Sequence, residues 1–156
     1  MVNYVCICQK SKLHGHREDG RIMNRREARE EAFYLLFERE FQQDKTPDEI
    51  YALSCENRDI QEDQFIKTLY YGVCEHIEEL DELLVKHSNG WKPSRMTPVS
   101  RCAARMCLYE LRYMEDIPSA VSLNEAVELV KKFDDPKMRT FVNGLLNSAK
   151  NEIEEA

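Results

Sequence analysis

Residues 101–146 read RCAARMCLYELRYMEDIPSAVSLNEAVELVKKFDDPKMRTFVNGLL. Apolar residues recur in this stretch at spacings of three and four, which is typical of the buried face of an amphipathic helix. The acidic turn Glu115–Pro118 separates two such helices, and Asp135-Pro136 has the cap-plus-proline pattern that opens a third. The stretch holds neither paired catalytic groups nor a set of metal ligands. We therefore expect a packing and docking unit rather than an active site.

The same periodicity extends toward the N-terminus. It predicts helices over about 25–42 and 61–86, a loop over 87–98, and a helix from Thr97-Pro98 to about Tyr113. Gly72 inside the second of these indicates close approach of another helix, and Trp91 is expected to be a hydrophobic plug in the loop. The prediction is an all-α fold of about six or seven helices in two small three-helix-type bundles, divided by the central loop.

Length and composition limit the class of protein. The 156 residues suit one domain with its own core, and no apolar run is long enough to span a membrane. The opening segment lacks the apolar core of a secretory signal, so we expect a cytoplasmic protein with reduced cysteines. Residues 1–22 lack helical periodicity and are expected to be an extension that is disordered or not native, before a helical domain over 23–156. An alternative is a metal site built from Cys6, Cys8, His14 and His16.

Charge is unevenly distributed along the chain. The net charge is −7, yet residues 21–29 contain four arginines and a single acid. Arg25, Arg26 and Arg29 lie at the start of a predicted helix, and Arg25 and Arg29 are four residues apart and share a face. Guanidinium groups beside the amino end of a helix can bind phosphate oxygens. The alternative is a solvated helix end that pairs with neighbouring glutamates.

Three blocks of sequence together resemble the NusB transcription-antitermination family. They are RREAREEAFYLLFE (25–38), FIKTLYYGVCEHIEELDELL (65–84) and the stretch 100–147 with its YEL, DIP, NEAVEL and FVNG motifs. The resemblance covers about residues 24–150. It implies an all-α fold and an RNA-binding accessory factor that is not an enzyme. It also implies binding of boxA-type RNA from ribosomal RNA operons, together with the small-subunit ribosomal protein NusE and other Nus factors on RNA polymerase.

The resemblance also implies two sets of contact residues and no cofactor, metal or catalytic residue. The expected RNA contacts are Arg25, Arg26, Arg29, Lys137, Arg139, Phe141 and Asn143. Phe141 fits a core position equally, and Asn143 fits a helix cap. The expected NusE contacts are Glu75, Glu79, Ser100, Arg101 and Arg105, since acidic surfaces suit a basic ribosomal protein. Family members occur as monomers and dimers, so a homodimer stays open. A helical protein–protein adaptor without RNA binding is the alternative function.

Overall fold

The computed structural model of the chain describes residues 23–58, 60 and 62–156. Within these residues the chain forms seven α-helices, one 3-10 turn and no strand, which confirms the predicted all-α fold. No helix among them is both long enough and apolar enough to cross a membrane. The expected extension over 1–22 and the alternative metal site of Cys6, Cys8, His14 and His16 lie outside the described residues.

The chain divides into two compact units, and the boundary falls between Tyr71 and Gly72. The sequence placed the division at the loop 87–98, and that placement is wrong. The loop belongs to the second unit, where Ser88 and Arg101 bind its backbone. The boundary instead lies inside a helix, where no turn residue marks it.

The first unit contains α1 (Arg25–Phe41), α2 (Pro47–Arg58) and most of α3 (Gln64–Glu75). Asn24 caps α1 through a capping box: Asn24 Oδ1 accepts from the Glu27 amide, and Glu27 Oε2 accepts from the Asn24 amide, both at 2.9 Å. The predicted helix 25–42 is confirmed to within a residue. Its middle is buried nearly all round, which explains the run of aromatic and aliphatic residues over 32–37.

The single long helix predicted over 61–86 is wrong, because the segment forms α3 and a separate α4 (Ile77–His87). His76 lies at the interruption with φ −113° and ψ 17°. Its ring Nδ1 is 2.8 Å from the Gly72 carbonyl oxygen, and its amide is shared between the Gly72 and Val73 carbonyls at 3.2 Å each. A side chain that binds the preceding turn in this way competes with the regular helical ladder.

The second unit continues with a 3-10 turn (Pro93–Arg95), α5 (Pro98–Tyr113), α6 (Ser119–Phe133) and α7 (Pro136–Glu155). α5 is central and packs against α4, α6 and α7. Every residue from Val99 to Glu110 except Arg101 is buried. The last turn of α3, which belongs to the second unit, approaches α5 so closely that a Cβ added at Gly72 would overlap the Tyr109 ring. The close approach predicted for Gly72 is confirmed.

The start of α5 is held by the end of α6. Thr97 caps α5 by accepting from the Ser100 amide at 3.2 Å. The Thr97 and Ser100 hydroxyls both donate to Asp134, which follows the last residue of α6. One carboxylate therefore sits at the positive amino end of α5, where the helix dipole stabilises negative charge.

Candidate nucleic-acid interface

The arginines at the start of α1 differ in exposure. Arg25 and Arg26 are exposed, whereas Arg29 is buried with 4% of its surface accessible. The guanidinium carbons of Arg25 and Arg29 lie 4.3 Å and 5.3 Å from the centre of the Phe65 ring. The predicted shared face of these two residues is confirmed. Arg25 and Arg26 present charge to solvent, and Arg29 anchors the same face to Phe65 by a cation–π contact.

The amino end of α1 offers less to an anion than the sequence suggested. The capping box occupies the Glu27 amide and places the Glu27 carboxylate at the helix end. That carboxylate interacts favourably with the helix dipole and offsets its attraction for a phosphate. Anion binding at this site therefore depends on the two exposed guanidinium groups rather than on backbone amides.

A second group of predicted contacts lies along the first half of α7. Lys137, Arg139 and Asn143 are exposed there, and Phe141 is half-buried. The Asn143 carbonyl and side-chain oxygens accept from Asn147 Nδ2 at 2.8 Å and 3.3 Å, so two exposed side-chain amides lie one turn apart on α7. The Phe141 ring packs on Trp91 with centroids 5.5 Å apart.

The prediction that Trp91 is a hydrophobic plug in the loop is wrong, since 49% of its surface is exposed. The chain turns sharply just before it, through Asn89 and Gly90 with φ values of 53° and 85°. Such left-handed conformations suit asparagine and glycine. The sequence feature that indicates an exposed ring is the Asn89-Gly90 pair followed directly by Trp91 and Lys92. Helical periodicity does not detect this feature.

The residues expected to contact NusE from α5 make contacts within the chain. Ser100 is fully buried, and its hydroxyl donates to Asp134 at 2.7 Å. Arg105 is 8% exposed and forms a two-pronged ion pair with Asp81, at 2.7 Å and 2.8 Å. Arg101 Nη1 donates to the carbonyls of Pro93 and Met96 at 2.8 Å and 3.1 Å. In this structure all three stabilise the second unit, and their contact with a partner stays a prediction.

The acidic members of that set lie on a more accessible surface. Glu75 is exposed, and the half-buried Glu79 accepts from the Tyr113 hydroxyl at 2.7 Å and forms an ion pair with Arg112, whose Nε lies 2.7 Å from Glu79 Oε1. The bond to Glu79 raises the pKa of Tyr113 above its ordinary value. The Tyr113 ring is 43% exposed and lies 4.6 Å from the His76 ring. Tyr113 and Arg112 therefore join the predicted surface, although the sequence did not single out either of them.

No group of three or more potential metal ligands occurs in the part of the chain that the structure describes. Among these residues, the candidates for binding are the exposed cations at the starts of α1 and α7, the Trp91–Phe141 ring pair, and the acidic surface around Glu75 and Glu79. The fold and these surfaces together define an all-α protein that presents exposed cations on an otherwise acidic chain.

Comparison with known proteins assigns this class to one family. A sequence model of the NusB family matches residues 26–151, and the chain belongs to that family. The transcription antitermination protein NusB of Bacillus subtilis (strain 168) is 42% identical over 135 residues, covering 86% of this chain and 100% of the relative. The protein of the same name from Bacillus velezensis (strain DSM 23117 / BGSC 10A6 / LMG 26770 / FZB42) is 44% identical over 133 residues, covering 85% and 99%.

Solved structures of similar proteins share the fold. T. maritima NusB superposes with a TM-score of 0.76 at 26% identity, covering 87% of this chain and 100% of that one. A chain from the crystal structure of antitermination factors NusB and NusE in complex with dsRNA gives a TM-score of 0.74 at 29% identity, covering 82% and 96%.

Proposed function

We propose that this chain is a cytoplasmic RNA-binding transcription antitermination factor that acts with NusE on boxA-type RNA of ribosomal RNA operons. The observation that carries the proposal is the family match over residues 26–151, with relatives of nearly the same extent named for antitermination. The solved structure of similar proteins bound to NusE and dsRNA supports both partners. The chain works by binding within the RNA polymerase elongation complex with other Nus factors, and catalyses no reaction.

The first RNA contact is electrostatic. Arg25 and Arg26 are exposed at the start of α1 and bind phosphate oxygens with their planar guanidinium forks. Arg29 is a positioning residue, since it is buried against the Phe65 ring that also carries Arg25. Phosphate contacts of this kind fix where the RNA lies and carry most of the salt dependence of binding.

The second set of RNA contacts comes from α7. Lys137 and Arg139 supply positive charge, and Asn143 supplies an amide that can donate to and accept from a base edge. Phe141 contributes the edge of a half-buried ring. Residues 136–151 contain no acid, so no carboxylate on this part of the helix opposes an RNA strand.

The NusE contact is proposed for the surface around Glu75 and Glu79. Tyr113 adds an exposed aromatic ring to these carboxylates, and tyrosine is enriched at protein interfaces. Arg101 and Arg105 remain proposed contacts through their accessible edges, and Ser100 acts by holding the start of α5. Opposite charge steers such an encounter with a basic ribosomal protein.

The experiment is a titration of fluorescein-labelled boxA-type RNA, alone and with NusE, at two salt concentrations. We expect weak binding alone, tighter binding with NusE, and an affinity that falls with salt. Replacing Arg25 and Arg26 with Ala should reduce the slope of log K against log salt by about 0.7 for each phosphate that the variant no longer neutralises, as for single strands. The matched control is Lys131→Ala with Lys132→Ala, which removes the same charge from the end of α6.

Circular dichroism must show unchanged helicity in both double variants. Equal salt slopes for the wild type and the Arg25/Arg26 variant would contradict the phosphate contact. Absence of RNA binding under every condition, with NusE still bound, would favour the protein–protein adaptor instead.

A further inference from the structure

We propose that the Trp91 indole, supported by the Phe141 ring, is a stacking platform for one unpaired RNA base. This inference rests on the proposed function and deepens it, because it assigns a ligand chemistry to an exposed aromatic pair. The two rings lie 5.5 Å apart between centroids with an interplanar angle of 45°. Phe141 is half-buried in the second unit, so it supports Trp91 from the protein side.

Trp91 is held in its exposed position by its backbone. Ser88 is almost fully buried, and its hydroxyl donates to the Trp91 carbonyl at 2.6 Å. The Trp91 amide donates back to the Ser88 carbonyl at 3.2 Å. Arg101 fixes the following turn through the Pro93 and Met96 carbonyls. A large ring that is half-exposed on an anchored loop loses little conformational freedom when a ligand covers it.

The charge of the two segments that carry the pair favours a polyanion over an acidic peptide or an apolar helix. No Asp or Glu occurs between Glu82 and Glu110, a stretch that includes Trp91 and the exposed residues Lys92 and Arg95. None occurs between Asp135 and Glu152 on the segment that carries Phe141. Lys137 lies one turn before Phe141 and on the same face of α7.

The nearest acids in sequence at the start of α7 are occupied by caps. Asp134 accepts from the Thr97 and Ser100 hydroxyls, and Asp135 accepts from the Met138 amide at 2.9 Å. An aromatic face flanked by lysine and arginine is the combination that binds single-stranded nucleic acid, because bases stack on the ring while the cations follow the phosphates. Paired bases are already stacked, so the platform selects an unpaired one.

The test uses the fact that the chain contains one tryptophan, so its indole fluorescence reports this position alone. Single-stranded boxA-type RNA is titrated into the full chain at low salt while fluorescence is recorded. Anisotropy of the fluorescein-labelled RNA measures total binding independently. We expect the indole signal to be quenched in parallel with the rise in anisotropy. A blunt RNA duplex of the same length should cause little quenching.

Variants separate stacking from charge. Trp91→Ala should weaken binding of the single strand by about tenfold, the effect of removing one stacked base, with an unchanged salt slope. Trp91→Phe retains a smaller ring and should be intermediate. The matched control is Phe41→Ala, because Phe41 is also an exposed ring (55%) packed on a second ring, Phe37, at 5.0 Å. Each variant is titrated alone and with NusE.

The outcomes are distinguishable from those for the proposed function. The stacking platform is contradicted if Trp91→Ala binds RNA with normal affinity, or if the wild-type indole fluorescence does not change when RNA binds. Either result leaves the RNA-binding function intact. Equal quenching by the blunt duplex also overturns the platform. If the anisotropy shows no RNA binding under any condition, both this inference and the proposed function fail. The wild-type quenching needs no variant, so it decides the matter even if Trp91→Ala folds poorly.

Discussion

Gly72 occupies a place where no side chain fits, because a Cβ there would overlap the Tyr109 ring. Gly144 is the opposite case within the same unit, since a Cβ added to it meets nothing within 4 Å. Alanine normally stabilises a helix relative to glycine by about 1 kcal/mol. We therefore expect Gly144→Ala to raise the free energy of unfolding by about 0.5–1 kcal/mol.

Gly72→Ala should lower that free energy instead, because overpacking of about 1–3 kcal/mol outweighs the gain in helix propensity. Urea unfolding of both variants measures the difference. A stabilised Gly72→Ala protein would mean that Tyr109 moves aside at negligible cost.

Single arginines show what periodicity does not determine. Arg25 and Arg29 share the face that their spacing predicts, yet one is exposed and the other buried. Arg105 pairs with Asp81, which is 24 residues away in the chain. Spacing within a helix fixes the direction of a side chain but not what lies opposite it. For that reason the sequence identified cationic positions at both candidate sites and could not separate binding residues from anchoring ones.

At the scale of the helices, the start of α5 is stabilised by a carboxylate that lies outside this helix, that of Asp134. Asp134→Ala would leave the fully buried Ser100 hydroxyl without its acceptor. Loss of a partner to a buried polar group costs about 1–3 kcal/mol, so we expect a decrease of that size in unfolding free energy. Asp134→Asn keeps one acceptor oxygen and should lose less.

Asp116→Ala is the control for this prediction. Asp116 is an exposed aspartate in the turn between α5 and α6, and its removal should change stability by no more than about 0.5 kcal/mol. Thermal unfolding at neutral pH compares the three variants. Equal melting temperatures for Asp134→Ala and Asp116→Ala would contradict the role given to Asp134.

Helix starts were easier to predict than helix interruptions. Thr97 and Asp135 cap the helices that their Thr-Pro and Asp-Pro pairs predicted, because a cap is decided by residues within one turn. No proline marks the interruption at His76. The His76 ring binds the carbonyl of Gly72, the same residue that lies against the Tyr109 ring. The exposure of Trp91 likewise results from a loop anchored by Arg101 and Ser88. Contacts of this kind form only in the folded unit.

For the molecule as a whole, stability is expected to be unequal along the chain. α5 is buried from Val99 to Glu110 apart from Arg101, and it packs against three other helices. Native-state hydrogen exchange should therefore find the slowest amides of the second unit in α5, exchanging only through global unfolding. Amides near the end of α7, beyond Ala149, should exchange much faster. Equal protection along α5 and the end of α7 would contradict this order.

The division at Tyr71 and Gly72 has a practical consequence for dissecting the molecule. A fragment that stops at Tyr71 would truncate α3 to about two turns and remove the amides of residues 72–75, which donate to the carbonyls of its last turn. Helices this short are marginal in water, so the severed end would fray and misrepresent the intact half. Fragments meant for spectroscopy should share the overlap from Gly72 to His76, so that each retains a complete helical terminus.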